Sequence, residues 1–316
     1  MPALLSHHLF GRALLARANN RTLLTREARD AFLLGNQGPD PLYFATLSPR
    51  FLKIKSLGAH MHSKKINEYF SVWRDMLNRC ETYDHHYEVL KAYVYGAFCH
   101  YFLDRETHPF VRAQVEALCN AGVEGLEPRD KTIVHAQIET DLDTYMLTRL
   151  TGRTLEEYCI PKQMLYSSDA ALSSIDTLYT AAAELYPIKV PRTAYTQSIK
   201  DMRLAEKLLY SPGGTKRMLY GHLERLGRQH SLIQAISHSN EAQHAAWHAN
   251  ESKAFWHHPD TKEKSNKTFA ELFDDALTTA VACRALFESG APLSEITKGL
   301  DYYGSSINEE DEWQLH

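Results

Sequence analysis

The chain has 316 residues, 44% of them hydrophobic and 23% charged, enough to bury a sizeable core without covalent staples. A formal net charge of -4 excludes a protein that holds nucleic acid by bulk electrostatics. The five cysteines are odd in number, scattered and never paired as C-x-x-C, which excludes a disulfide framework or a cysteine zinc site and suits a reducing compartment.

Taken in chain order, apolar residues recur at three-to-four spacing through residues 3–18, which carry His7 and His8, and through 25–34. The prolines of "GNQGPDP" cannot continue a helix, so Asp40 falls in a tight irregular connection that would aim its carboxylate from a fixed backbone. "LGAHMHSKK" precedes a helix over 65–77; at two residues apart, His60 and His62 cannot both face one way on a helix. Helical periodicity resumes over 87–104, 133–150, 170–185, 195–209, 218–236 and 269–287, with breaks at "PIKVP" and "SPGG". "SPGG" reads as a loop between two helices, and the acidic tail "SSINEEDEWQLH" as a frayed end. Strand-like alternation is scarce, so an all-α, single-domain helical bundle spanning residues 1–316 is expected. No basic segment followed by a long apolar run opens the chain; neither signal peptide nor membrane span is read, and a cytoplasmic protein is expected.

Chemistry concentrates where the apolar pattern is interrupted. The chain holds 17 histidines, and neutral imidazole is the commonest metal ligand. "AYVYGAFCHYFLDRETHPF" sets His100, Asp104 and His108 at spacings of four, and four helical residues bring side chains to within about 5–6 Å on one face. His100 lies among Phe98, Cys99, Phe102 and Leu103, where a buried charge needs a partner or a metal. "KTIVHAQIETDLDTYM" repeats the arrangement with His135 and Glu139. Two His-x-x-x-carboxylate helices with His108 between them point to a multi-ligand metal centre whose nitrogen and oxygen donors suit zinc. "NEAQHAAWHANE" offers competing patterns, yet Glu241 and His244 have no second E-x-x-H to complete a di-iron site, and His244 with His248 lack the glutamate of H-E-x-x-H. No G-x-S-x-G or complete P-loop is present.

"LLGNQGPDPLYF", "GAHMH", "AYVYGAFCHYFLDRETHPF" and "HAQIETDLD", in this order, resemble the zinc-dependent phospholipase C family, related to the single-strand-specific zinc nucleases. "NESKAFWHHP" and "KTFAELFDDA" also look like the C-terminal part of cytosolic-looking bacterial relatives. The resemblance implies an all-helical bundle around two or three zinc ions and hydrolysis of a phosphoester, with phospholipid among the candidate substrates. Residue by residue, it implies Asp40, His62, His100 and Asp104 around one zinc, with Asp104 shared with a second that takes His7. His108, His135 and Glu139 would hold the remaining one, and Asp40 would also orient or deprotonate the attacking water. A non-catalytic, zinc-stabilised binding protein and a nuclease-like activity are the alternatives.

Overall fold

The computed structural model describes residues 4–17, 25–80, 85–120, 127–225, 230–240 and 245–307. The helices of the N-terminal half are α1 (Leu4–Arg17), α2 (Arg26–Gly35), α3 (Phe51–Ser63), α4 (Ile66–Arg79), α5 (His85–Asn120) and α6 (Lys131–Thr151). There follow α7 (Ile160–Gln163), α8 (Asp169–Ala183), α9 (Ala194–Leu209), α10 (Thr215–Arg225), α11 (Leu232–Ala235), α12 (Ala245–His248), α13 (Phe269–Glu288) and α14 (Leu293–Thr297). The only strands among the described residues are β1 (Trp256–His257) and β2 (Lys264–Ser265), an antiparallel pair two residues long. The fold is all-α, as the periodicity predicts.

Four expectations need correction. The helix predicted over 87–104 runs on to Asn120, through Pro109. Its reading stopped because Asp104, Arg105, Thr107 and His108 look like a polar helix end, whereas all four are buried. The histidines of "GAHMH" close a helix, α3, whose buried Ile54, Leu57, Gly58 and Met61 follow helical spacing. The helix predicted over 218–236 is divided into α10 and α11, with residues 226–229 outside the described set. Finally, the tail is anchored at its start: Asp301 N–H donates to Ser305 O at 2.8 Å and Ile307 N–H to Gly299 O at 2.9 Å. Residues 308–316 lie outside the described residues.

α5 is the axis on which α2, α6, α8 and α13 pack, and one continuous cluster of buried apolar side chains surrounds it. Each large apolar side chain withdrawn from water contributes about 1.5–3 kcal/mol. Glycines decide how close α2 comes to α5. A Cβ at Gly35 would lie 2.2 Å from Tyr93 O, and one at Gly96 would lie 2.2 Å from Phe32 O. This backbone contact presses the segment after α2 onto the face of α5 that carries His100. There Gly38, at φ +50°, leaves room for the imidazole, which a Cβ would approach to 2.2 Å. The core also grips this segment: Tyr179 OH donates to Gly38 O at 2.6 Å, Tyr93 OH reaches the same carbonyl at 3.3 Å, and Gln37 Nε2 donates to Leu4 O at 3.1 Å.

Candidate metal centre

Helices α1, α3, α5 and α6 and the turn that begins at Asp40 deliver eight side chains to one buried region. His7 Nε2 lies 3.0 Å from Asp104 Oδ1, and His100 Nε2 lies 3.3 Å from Asp104 Oδ2. His62 Nε2 lies 3.0 Å from Asp40 Oδ1. On the other side of Asp104, His135 Nε2 lies 2.9 Å and His108 Nε2 3.5 Å from Glu139 Oε1. The donors form three groups, each within 4.8 Å: His7, His100 and Asp104; Asp40, His62 and His100; His108, His135 and Glu139. Asp104 turns one oxygen toward His7 and the other toward His100, and its Oδ1 lies 3.8 Å from His108 Nδ1.

Several histidines are oriented by backbone carbonyls. His62 Nδ1 meets Gly58 O at 2.7 Å, His108 Nδ1 meets Tyr302 O at 2.9 Å, and His100 Nδ1 lies 3.2 Å from Asn36 O. A ring that donates Nδ1–H to a carbonyl presents its Nε2 lone pair on the other side, and that is how metal-ligating histidines are held. Each of these Nε2 atoms faces a carboxylate. His100 Nε2 is buried, makes no hydrogen bond, and lies between Asp104 Oδ2 at 3.3 Å and Asp40 Oδ2 at 3.9 Å. A lone pair opposed to two carboxylates in a dry pocket is repulsive without a cation between them. Zinc bonds to nitrogen and oxygen of about 2.0–2.2 Å set donors of one shell about 3–4 Å apart, which these spacings meet. The residues fit the metal.

Electrostatics agree. Burial alone would raise Asp104, but His108, His100 and His7 hold its carboxyl well below the usual range. Glu139 is likewise depressed against its burial, by His135 and His108. His100 is pushed down to about 4, chiefly by burial, so it is a neutral donor. His108, although buried, is raised to about 9 by Asp104 and Glu139. Asp104 and Glu139 thus stay ionised although buried, with His100 neutral beside them and His108 holding a proton between them.

Of the neighbouring histidines, the two that the resemblance implies, His7 and His62, are the two that turn toward the carboxylates. His7 joins the cluster; His8, also buried, points to Tyr158 with ring centroids 6.3 Å apart. Neither is the solvated terminal histidine that a position so near the chain start suggests. His62 joins it as well, while His60 donates Nδ1–H to Ser56 O and packs edge-on to Tyr186. The rival pattern near residue 245 is only partly described. His248 is buried on Asp141 at 3.0 Å rather than on a polar surface, and Glu241 and His244 lie outside the described residues.

A family model described as zinc dependent phospholipase C matches residues 3–187, more than half of the chain. The chain belongs to this family. No curated protein and no solved structure matches it. Every donor of the three groups falls inside the part matched by the zinc-dependent phospholipase C model.

Sequence reading missed further residues around the site, some inside that part and others, such as Tyr302, Tyr303 and Asp260, outside it. A cavity of about 350 Å³ opens over Asp40, His62, Asp104, His108, His135 and Glu139, and is rimmed by Tyr43, Arg112, Lys131 and Tyr303. His7 and His100 lie behind it. Tyr302 and Tyr303 reach the site because the segment after α14 folds back, with Tyr302 N–H on His62 O at 3.1 Å. Arg112 is held by Asp260 at 2.9 Å and by Ser305 Oγ at 2.9 Å. Behind α1, Asp143 accepts the Leu5 and Ser6 N–H groups at 2.9 and 2.7 Å, and His238 Nε2 meets it at 2.8 Å. This carboxylate satisfies the first turn of the helix that presents His7. No local pattern announces a carbonyl or an N-terminal clamp that arrives from over a hundred residues away.

Proposed function

We propose that this chain is a phospholipase C-type phosphodiesterase with water as the nucleophile. The observation that carries the reading is the convergence of three histidine–carboxylate groups at one cavity, with six of their eight residues on its wall. In this proposal Asp40, His62, His100 and Asp104 hold one zinc, and His7 with the shared Asp104 a second. His108, His135 and Glu139 hold a third. Zinc, when bound, lowers the pKa of water to about 7 and takes up charge on phosphoryl oxygens.

The chain's own groups do the rest. The Asp40 carboxylate, fixed at the start of a turn and facing the cavity, orients the attacking water and accepts its proton. Arg112, braced by Asp260 and Ser305, and Lys131 at the rim bring positive charge to the non-bridging oxygens of the substrate. Burial of the metal-facing side chains keeps bulk water from competing for the ligand atoms.

The test is turnover of a soluble phosphodiester before chelation, after chelation and after zinc is restored. The expected result is loss on chelation and recovery with zinc, and a fall of at least a hundredfold for Asp40→Asn. A protein that holds zinc but turns over no phosphodiester is the non-catalytic binding protein instead. Turnover that survives complete zinc removal defeats the mechanism.

A further inference from the structure

The metal cavity has a neighbour. A second hollow, of about 470 Å³, lies between α5 and residues 247–262, and Glu116 lines both. The seam is braced, since Arg112 on the metal side forms two 2.9 Å bonds to the Asp260 carboxylate. The second hollow has a mixed lining, with Phe110 and Trp256 meeting edge-on at 5.3 Å between centroids and Asn120, Asn250 and His258 among its polar residues. Its rim leaves Phe255 65% and Trp247 57% exposed. Two large aromatic side chains held open to water beside one hollow mark a binding surface.

Their surroundings say what it binds. The Lys264 ammonium lies 3.8 Å from the centre of the Phe255 ring, and Lys262 lines the hollow. Lys262 donates to Pro259 O, whereas the Lys264 ammonium rests on the Phe255 ring. Aromatic rings beside lysines with long alkyl stems match the headgroup layer of a bilayer: the ring settles at the acyl boundary and the ammonium meets phosphate. A protein partner fits less well. A stable interface buries about 800 Å² a side, and this rim is edged by the exposed Lys253–Glu271 and Lys267–Asp275 pairs, which a dry interface would have to desolvate. A wet headgroup layer leaves those pairs hydrated.

We propose that Trp247, Phe255, Lys262 and Lys264 form a docking surface for a phospholipid bilayer. Residues 247–264 lie outside the part matched by the family model. Attachment itself needs neither zinc nor turnover, so it stands apart from the phospholipase reading.

The experiment is sedimentation of the full chain, metal-free and zinc-loaded, with vesicles of phosphatidylcholine and phosphatidylglycerol, together with tryptophan quenching by brominated acyl chains. Wild type should sediment in both metal states and be quenched. Trp247→Ser combined with Phe255→Ser should lower the vesicle partition coefficient tenfold or more, the scale set by withdrawing one large aromatic side chain from an apolar phase. The control, Leu204→Ser with Leu208→Ser on exposed parts of α9, should sediment as wild type does. All variants should keep wild-type circular dichroism, since the substituted side chains are exposed. Wild type that ignores vesicles, or an aromatic variant that sediments undiminished, overturns the proposal. So does self-association through these residues on size exclusion without vesicle binding, which would assign the surface to a second copy. Turnover of a soluble phosphodiester separates the two readings: its absence defeats the enzyme assignment and leaves vesicle attachment standing, whereas its persistence without attachment defeats only the docking surface.

Discussion

Asp104→Asn isolates the proposed metal centre with the least disturbance to the fold. The substitution keeps the shape of the side chain and its place on α5, and helix propensity hardly changes. What it removes is one negative charge, only 5% exposed, that lies 3.0 Å from His7 Nε2 and 3.3 Å from His100 Nε2. A unit charge about 4 Å from another is worth about 4 kcal/mol at the effective dielectric that suits protein sites, or about a thousandfold in affinity. Because Asp104 turns an oxygen to each of two histidines, two proposed shells weaken together. Glu139→Gln touches only the group of His108 and His135. The assay is zinc stoichiometry after desalting, with titration of the stripped protein, for Asp104→Asn, Glu139→Gln and the exposed control Asp75→Asn. Asp104→Asn should keep about one zinc at wild-type affinity, lose the others by about a thousandfold, and lose phosphodiester turnover. Glu139→Gln should lose one, and the control none. Wild-type zinc content and affinity in Asp104→Asn would refute the assignment of this carboxylate to two shells.

Gly96→Ala should lower the melting temperature and the zinc content together, because its Cβ would meet Phe32 O at 2.2 Å and force α2 off α5. The overpacking cost is about 1–3 kcal/mol or more, read by urea unfolding; an unchanged midpoint would show that the two helices adjust freely. Glu206 supplies a pH test away from the metals. Its carboxyl is raised to about 7, by burial first and by Asp143, against the pull of His238. A raised acid binds a proton more tightly in the folded chain, so its contribution is complete below the unfolded value of about 4.5 and is lost as pH rises through about 7. Glu206→Gln should therefore flatten that fall, making the variant more stable than wild type at pH 8 relative to pH 4 by roughly 3 kcal/mol. Parallel urea midpoints for the two proteins at both pH values would contradict it.

The helices were legible wherever burial imposed a regular apolar spacing, because an amphipathic helix must repeat its core face every three to four residues. That rule carried α1, α2, α4, α6, α8, α9 and α13, and the His-x-x-x-carboxylate pairs of α5 and α6 were readable because both partners lie on one helix. It failed where the buried face is polar. Asp104 to His108 looked like the end of a helix, although Asp104, Arg105, Thr107 and His108 are buried, Asp104 and His108 at the proposed metal centre. The resemblance chose His7 over His8 and His62 over His60 by motif position; that these two rings turn toward carboxylates is a direction in space, which order along the chain does not record. The remaining parts were decided by packing alone. Gly35 and Gly96 bring two helices into backbone contact, Gly38 yields to an imidazole, and the carbonyl of Tyr302 crosses 194 residues of chain to orient His108. Such contacts leave no local periodicity, because each partner satisfies its own neighbours first and meets the other only when the core has closed.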